Sequence, residues 1–296
     1  MIVVTTPTGQ IGRLVLDRLL DSPDATPGIR VVARDPDRLP ARVREHVEVV
    51  RGSHADPAVL KEACAGADRV FWLVPPMPST DSVEDHFHTF TGALCEAIAG
   101  QGVERVVAVS TLGRGIAENA GNISASLAMD DTIAATGVHY RALCAPFLME
   151  NFLRHAESLA TGGALPMALA PDRVLRTCAV SDIATTAARL LLDTSWTGRA
   201  DVPLVGPDDL TLEGMAQVMA DVLDRPVHMK PITSTEQKQL LLNRGMTESW
   251  AQAYADMVDA QNNQGLYGAT APRTPEEAPT SFRQWCEEVL KPAVLA

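Results

Sequence analysis

Two short stretches of this 296-residue chain carry residue types whose spacing suits a phosphorylated ligand. The first is Val3-Val4-Thr5-Thr6-Pro7-Thr8-Gly9-Gln10-Ile11-Gly12, an apolar run that passes through a tight turn into a segment of helical periodicity. At such a junction Gly9 lets the backbone approach a pyrophosphate and Gly12 lets the helix pack closely on the strand. The open N–H groups around Gln10 and Ile11 then face the anion. The same two glycines would equally serve a β–α turn that binds nothing. Pro7 offers no N–H and stiffens the turn, which leaves the hydroxyls of Thr5, Thr6 and Thr8 as substitute donors. The second stretch, Val31-Val32-Ala33-Arg34-Asp35-Pro36-Asp37-Arg38, ends the next apolar run on arginine. An acidic residue at that place bonds the ribose 2′-OH of NAD, whereas arginine suits a 2′-phosphate. Arg34, assisted by Arg38, therefore reads as a clamp for NADP(H) in preference to NAD(H); a solvated pair neutralised by Asp35 is the alternative.

The elements that must position these groups follow from the periodicity. Apolar, β-branched runs at 2–5, 29–33, 47–50, 70–74, 106–110 and 140–143 alternate with helical patterns around 11–19, 58–65, 84–100 and 124–136. Turn punctuation at 21–28 closes the first helix. This is the pattern of β-α-β units, and it predicts an α/β, Rossmann-type, doubly wound parallel sheet. Beyond residue 150 helices dominate, at 181–193, 211–223, 235–243, 247–262 and 280–290, with a surface loop expected over 265–281. The expected organisation is a nucleotide-binding domain over 1–150 and a smaller, mostly helical substrate lobe over 151–296. Segments 180–206 and 226–230 are expected to return to the sheet.

Composition narrows the function classes. Thirty-seven acidic against 25 basic side chains give a net charge of −12, which disfavours a nucleic-acid partner. No run approaches the roughly 20 apolar residues of a bilayer span, and the chain opens directly into an apolar strand, so a cytoplasmic protein with no membrane partner is expected. Five dispersed cysteines, with no C-x-x-C pair, predict reduced, buried thiols. His86 and His88 would splay apart on a helix, so no metal site is expected.

The motifs resemble those of the NmrA-like family of atypical short-chain dehydrogenases/reductases over almost the whole chain. The 5–12 turn is similar to the family's T-G-A-T-G-x-x-G loop, with Thr6 standing for its first glycine and Pro7 for the alanine. Arg34 to Arg38 match its basic R-x-P-x-[KR] segment. The most specific match is Thr136-Gly137-Val138-His139-Tyr140-Arg141-Ala142-Leu143-Cys144-Ala145-Pro146-Phe147-Leu148-Met149-Glu150-Asn151-Phe152, similar to S-G-x-x-[YW]-T-x-L-R-P-x-x-[FM]-x-E-N, although Cys144-Ala145 replace the arginine before the proline. Val180-Ser181-Asp182-Ile183-Ala184, Gly206-Pro207-Asp208-Asp209-Leu210-Thr211 and Pro279-Thr280-Ser281-Phe282 echo further family markers.

The resemblance implies that Val74 and Pro75 lie against the cofactor's adenosine and ribose. It also places the strand ending at Ser110 and Thr111 near the nicotinamide, where those hydroxyls could bond a substrate or simply finish a turn. Phe147, Met149, Asn151 and Phe152 follow a strand end and could line a substrate pocket, with core packing the plainer role for Met149 and Phe152. The Y-x-x-x-K pair of short-chain reductases is missing: none of Lys61, Lys230, Lys238 and Lys291 follows a tyrosine by four, and the helix where many relatives carry a lysine offers Ser126 and Leu127. The expected activity is NADP(H)-dependent hydride transfer to a small organic acceptor such as a quinone or enone, by a monomer or homodimer. A redox sensor that binds the nucleotide to control a partner, or a non-redox biosynthetic protein on the same scaffold, are the alternatives.

Overall fold

Seven parallel strands form the centre of the protein, in a computed structural model that describes residues 1–22, 28–268 and 271–296. They are β1 (Ile2–Val4), β2 (Ile29–Ala33), β3 (Glu48–Arg51), β4 (Arg69–Trp72), β5 (Arg105–Thr111), β6 (His139–Ala145) and β7 (Arg199–Pro203). Their order across the sheet is β3-β2-β1-β4-β5-β6-β7. The chain leaves β1 in one direction to build β2 and β3, then returns to β1's other side for β4. This reversal opens a crevice at the carboxyl ends of β1 and β4, where such sheets bind ligands. The punctuation expected at 21–28 falls largely outside the described residues.

Alternation along each strand divides the core. Ile2, Val4, Phe71, Val107 and Leu143 face α1 (Gln10–Leu20) and a helix at Val180–Leu192, whereas Val3, Val70, Trp72, Val106 and Tyr140 face α2 (Pro57–Cys64), α3 (Val83–Gln101) and α4 (Asn122–Ala134). Each such large apolar side chain removed from water contributes about 1.5–3 kcal/mol, so one-residue slips of register are strongly disfavoured. The returning helix Val180–Leu192, α5, and β7 close the sheet on that side.

The expectation for 226–230 is corrected. His228–Pro231 pairs in parallel with Ala164–Met167 in a separate two-stranded sheet and never reaches the central one. The cause is local: Gly163 has φ +65°, a Cβ there would overlap the Pro226 carbonyl, and His228 N–H donates to the Gly163 carbonyl at 2.7 Å. This close approach holds the strand against a second core, in which Leu165, Met215, Met219, Phe282 and Trp285 pack with α6 (Leu212–Leu223) and α8 (Glu248–Asn263). Between these two helices lies α7 (Ser234–Asn243), closed at its start by a Thr233–Glu236 capping box.

Buried polar ties join the late markers. Glu150 accepts the Val180 N–H at 3.1 Å, capping α5, and the Trp285 indole N–H at 3.1 Å. Asp182 accepts both the hydroxyl and the N–H of Thr280, at 2.7 and 3.1 Å, and Asp208 accepts the Phe282 N–H at 2.6 Å. The helix expected at 280–290 runs on to Leu295 as Phe282–Trp285, a five-residue π turn Cys286–Leu290 and Lys291–Leu295. Pro292, which has no N–H to give the preceding turn, accounts for the widened winding. Among the described residues no helix is long and apolar enough to cross a membrane, and no group of three His, Cys, Asp or Glu could hold a metal ion. All five cysteines are free, four of them buried and Cys95 half-buried.

Candidate active site

Two cavities open at the carboxyl end of the sheet and share a wall. The first, of about 460 Å³, is lined by Thr6, Pro7, Thr8 and Gly9, by Arg34, Asp35 and Arg38, and by His54, Pro75, Met77 and Phe90. Its floor is the β1–α1 turn. A Cβ on Gly12 would overlap the Thr6 carbonyl oxygen and come within 2.8 Å of the Thr6 carbonyl carbon, so only glycine lets α1 start this close to β1. The helix begins at Gln10 with Gly9 as its N-cap and no side chain capping it, which leaves the first-turn N–H groups facing the turn. Ile11 is buried in the core, so what it presents at this end is its backbone. Thr6 adopts φ +52°, the left-handed conformation that suits the glycine of the family motif, and its Oγ1 is buried without a partner. Thr5 does not substitute for the missing N–H of Pro7. Its hydroxyl donates to the Phe71 carbonyl at 3.0 Å and accepts from Leu73 N–H at 3.2 Å, locking β1 to β4.

The charges of this cavity are similarly arranged. Asp35 accepts the Asp37 N–H and caps the single turn Pro36–Arg38; Asp37 pairs with Arg44, and Asp21 with Arg42. The guanidinium groups of Arg34 and Arg38 have no ion pair or hydrogen bond among the described residues, so Asp35 does not neutralise them. A buried hydroxyl without a partner, two guanidiniums uncommitted among the described residues and open helix N–H groups form a donor set fitted to a phosphorylated dinucleotide.

His54 is a wall residue that the sequence reading passes over. It is 7% exposed, edge-on to Trp72 and Phe90, and its Nε2 bonds the Leu73 carbonyl at 3.0 Å. Burial pushes its pKa down to about 4, the hydrogen bond to Leu73 opposes this, and the Arg34 guanidinium lowers it further. His86 bonds the Pro75 carbonyl at 2.8 Å, and its pKa also falls through burial. The two imidazoles, both packed against Phe90, hold the 73–75 segment through its Leu73 and Pro75 carbonyls, with Val74 lining the second cavity and Pro75 the first.

The second cavity, of about 370 Å³, is lined from the sheet side by Val74, Pro76, Pro146 and Phe147, and from the lobe by Asn151, Leu241, Tyr254 and Tyr267 among others. Phe147 and Asn151 reach it. Met149 and Phe152 are fully buried behind it, Phe152 packing on Phe147, Phe282 and Trp285 with ring centroids 5.4, 5.5 and 6.4 Å away. Thr111 and Ser110 part company at the end of β5. The Thr111 hydroxyl bonds the Tyr267 hydroxyl, whereas Ser110 donates to the buried Asp130 at 2.5 Å. Asp130 also accepts from Tyr140 at 2.5 Å and from Arg114 at 3.3 Å. Burial raises the carboxyl's pKa against these hydrogen bonds, and burial beside Asp130 raises that of the Tyr140 phenol. The hydroxyls of Ser110 and Tyr140 are thus spent inside the protein.

Tyr267 comes from the segment expected to be a surface loop. That loop instead turns inward and buries Leu266, Tyr267 and Ala278. Tyr267 has φ +60°, and burial pushes its phenol up to about 12, so it remains a hydrogen-bond donor at neutral pH. A broader groove of about 810 Å³ between α3, α4 and α8 includes none of these residues.

Comparison with known proteins gives the same picture. A family model described as NAD(P)H-binding matches residues 7–194. The chain is 27% identical over 294 residues to (4-alkanoyl-5-oxo-2,5-dihydrofuran-3-yl)methyl phosphate reductase of Streptomyces griseus, covering 97% of each chain. It is 28% identical over 268 residues to NAD(P)H azoreductase of Xenophilus azovorans, covering 87% of this chain and 86% of that one. Its fold superposes with a TM-score of 0.77 on the NADPH complex of the quinone oxidoreductase of Escherichia coli, 20% identical, covering 98% and 99% of the two chains. The family match over residues 7–194, together with the turn at Gly9 to Gly12 and the sheet order, makes this chain a member of the NAD(P)H-binding family, on a Rossmann-type fold.

Proposed function

We propose that the chain is an NADP(H)-dependent reductase that passes hydride to a conjugated acceptor of the quinone or enone class. The observation that carries the reading is the convergence of Arg34 and Arg38, both uncommitted, on the same cavity as the Thr6–Gly9 turn. In it the pyrophosphate rests on that turn and the first-turn N–H groups of Gln10, Ile11 and Gly12. The 2′-phosphate meets Arg34 and Arg38, and Val74 and Pro75 carry the ribose side. Thr6 Oγ1 and Thr8 donate where Pro7 cannot.

When bound, the reduced nicotinamide would supply a hydride, one proton with its two electrons, for an acceptor in the second cavity. There Phe147 and Asn151 flank the acceptor, and the Tyr267 hydroxyl, receiving a hydrogen bond from Thr111 behind it, donates to the oxygen on which negative charge develops. With Tyr140 committed to Asp130, no tyrosine–lysine relay operates, and the balancing proton comes from solvent. This suits acceptors whose reduced form is protonated readily. The names of the relatives, a dihydrofuranone phosphate reductase, an azoreductase and a quinone oxidoreductase, support a conjugated acceptor.

The test is calorimetric. Arg34→Asp is expected to lose roughly 1.5–3 kcal/mol of NADPH affinity while NADH binding changes far less. Equal losses for the two cofactors would refute the clamp, and a wild-type protein that binds NADPH but oxidises it with no quinone or enone would refute the reductase.

A further inference from the structure

The second cavity carries a charge that hydride transfer to a neutral acceptor does not use. Arg154, His155 and Arg244 all line it, and none of its lining residues is Asp or Glu, in a chain with 37 acidic residues against 25 basic ones. Elsewhere arginines are committed: Arg30 to Glu48, Arg69 to Asp68, Arg114 to Asp130, Asp131 and Asp201, Arg189 to Glu277 and Arg283 to Asp221. The guanidiniums of Arg154 and Arg244 have no ion pair or hydrogen bond among the described residues. In this they match Arg34 and Arg38 in the first cavity, whereas Arg13 and Arg51, which also have no guanidinium partner among the described residues, line neither cavity.

We infer that the acceptor carries an anionic group, a phosphate ester or a carboxylate, which Arg154 and Arg244 bind at the lobe side of the second cavity while its conjugated end meets Tyr267. This rests on the reductase reading and names its substrate class. The rest of the cavity fits such a two-ended molecule. Apolar side chains from both walls, among them Phe147, Leu169, Leu241 and Met257, enclose its body. Two guanidiniums from separate segments, the turn Met149–His155 and the residues after α7, both exposed at the rim of the cavity, can then meet the charge with salt-sensitive, charge-assisted hydrogen bonds. His155 is near both, since its pKa falls first through burial and then through Arg244 and Arg154, and an incoming anion would draw a proton onto it.

The experiment separates this inference from the reading beneath it. Full-length protein carrying Arg34→Asp, which removes the phosphate clamp of the first cavity, is titrated calorimetrically with 1-naphthyl phosphate, 1-naphthoate and neutral 1-naphthamide. One or both anions should bind about tenfold or more tighter than the amide, with the advantage shrinking as ionic strength rises to about 0.5 M. Which anion is preferred distinguishes a phosphate ester from a carboxylate. Adding Arg154→Gln and Arg244→Gln should erase the preference without changing the melting temperature, and the paired lysine variants should restore part of it. Equal binding of all three ligands, or a preference that survives in the glutamine variant, would overturn the inference. Separately, wild-type protein is assayed for NADPH oxidation with a neutral naphthoquinone. Turnover there without any anion preference would sink the inference alone, whereas no NADPH binding would sink the reading and leave the titration to judge the arginine site by itself.

Discussion

The two cavities at the end of the sheet are built in opposite ways. The first takes its donors from two short contiguous segments, a turn at 5–12 and a strand end at 33–38, as backbone N–H groups, one strained threonine and two arginines, with His54, Pro75, Met77 and Phe90 completing the wall. The second draws on segments from 74 to 267, and its wall residue Tyr267 is bonded from behind by Thr111, 156 residues away in sequence. A cofactor shared across a family demands a fixed cradle, and a backbone turn is the least deformable one. An acceptor that differs between relatives is better met by side chains on loops and helices, which can change one at a time.

The largest effect should come from the part of the first cavity with no slack. Gly12→Ala places a methyl group against the Thr6 carbonyl, a backbone atom that cannot rotate away. We expect a loss of roughly 3 kcal/mol or more in chemical denaturation together with weakened NADPH binding, because α1 must retreat from the turn. Wild-type stability and affinity in this variant would mean that the close approach is dispensable, and the contrast between a rigid and an adaptable cavity would fail.

Next in size is the pH response of the wall between the cavities. His54 has an ordinary pKa near 6.5 that burial lowers to about 4 in the folded protein. Below 6.5 the unfolded chain takes up a proton that the folded protein refuses, so stability contributed by the neutral ring is complete above about 6.5 and is lost progressively as pH falls toward 4. The full span is on the order of 3 kcal/mol. Comparing wild type with His54→Gln across that window isolates the effect from Asp130, whose raised carboxyl pKa acts in the opposite direction. Parallel curves for the two proteins would assign the pH response to other groups.

This division also explains how much could be read from the sequence. The β-α alternation, the turn at Thr6 to Gly12 and the arginines at the end of β2 were legible because each is written in consecutive residues under a strict geometric rule. Val74 and Pro75 are implied by the resemblance; in the structure Pro75 lines the first cavity and Val74 the second. The second cavity was legible only where it touched a contiguous motif, at Phe147 and Asn151. Ser110 illustrates the limit: its position at a strand end is visible, but that its hydroxyl turns to Asp130 depends on how α4 packs. The adjacent acids Asp130-Asp131 within an apolar helix were the available signal. For Tyr267 it was an apolar-aromatic pair, Leu266-Tyr267, between Gly265 and Gly268, which a wholly exposed loop has no reason to keep. The strand at 228–231 was misassigned because four extended residues do not encode which edge they will meet.

A moderate effect is expected from the tyrosine that lines the second cavity. Tyr267→Phe removes a hydroxyl but keeps the ring in place, so stability should fall by only about 1 kcal/mol. If the Tyr267 hydroxyl, backed by Thr111, donates to the acceptor's oxygen, kcat should drop by about tenfold or more while NADPH affinity stays constant. A variant with unchanged kcat would confine Tyr267 to packing.

The smallest change is the most discriminating, because its sign should reverse with the cofactor. Thr6 occupies a left-handed conformation that costs a β-branched residue about 1–2 kcal/mol, and it buries a hydroxyl without a partner. Thr6→Gly relieves both, but glycine loses about 0.5–1 kcal/mol more backbone entropy on folding, so the free protein should gain no more than about 1 kcal/mol. In the complex the balance differs. If the hydroxyl donates to the pyrophosphate in place of the N–H that Pro7 lacks, the same substitution removes a hydrogen bond to a charged group, and NADPH should bind several-fold more weakly. Denaturation of the free protein and calorimetry of the complex would then move in opposite directions. Movement in the same direction would mean that Thr6 is merely a strained stand-in for glycine, and that the cradle works through backbone donors alone.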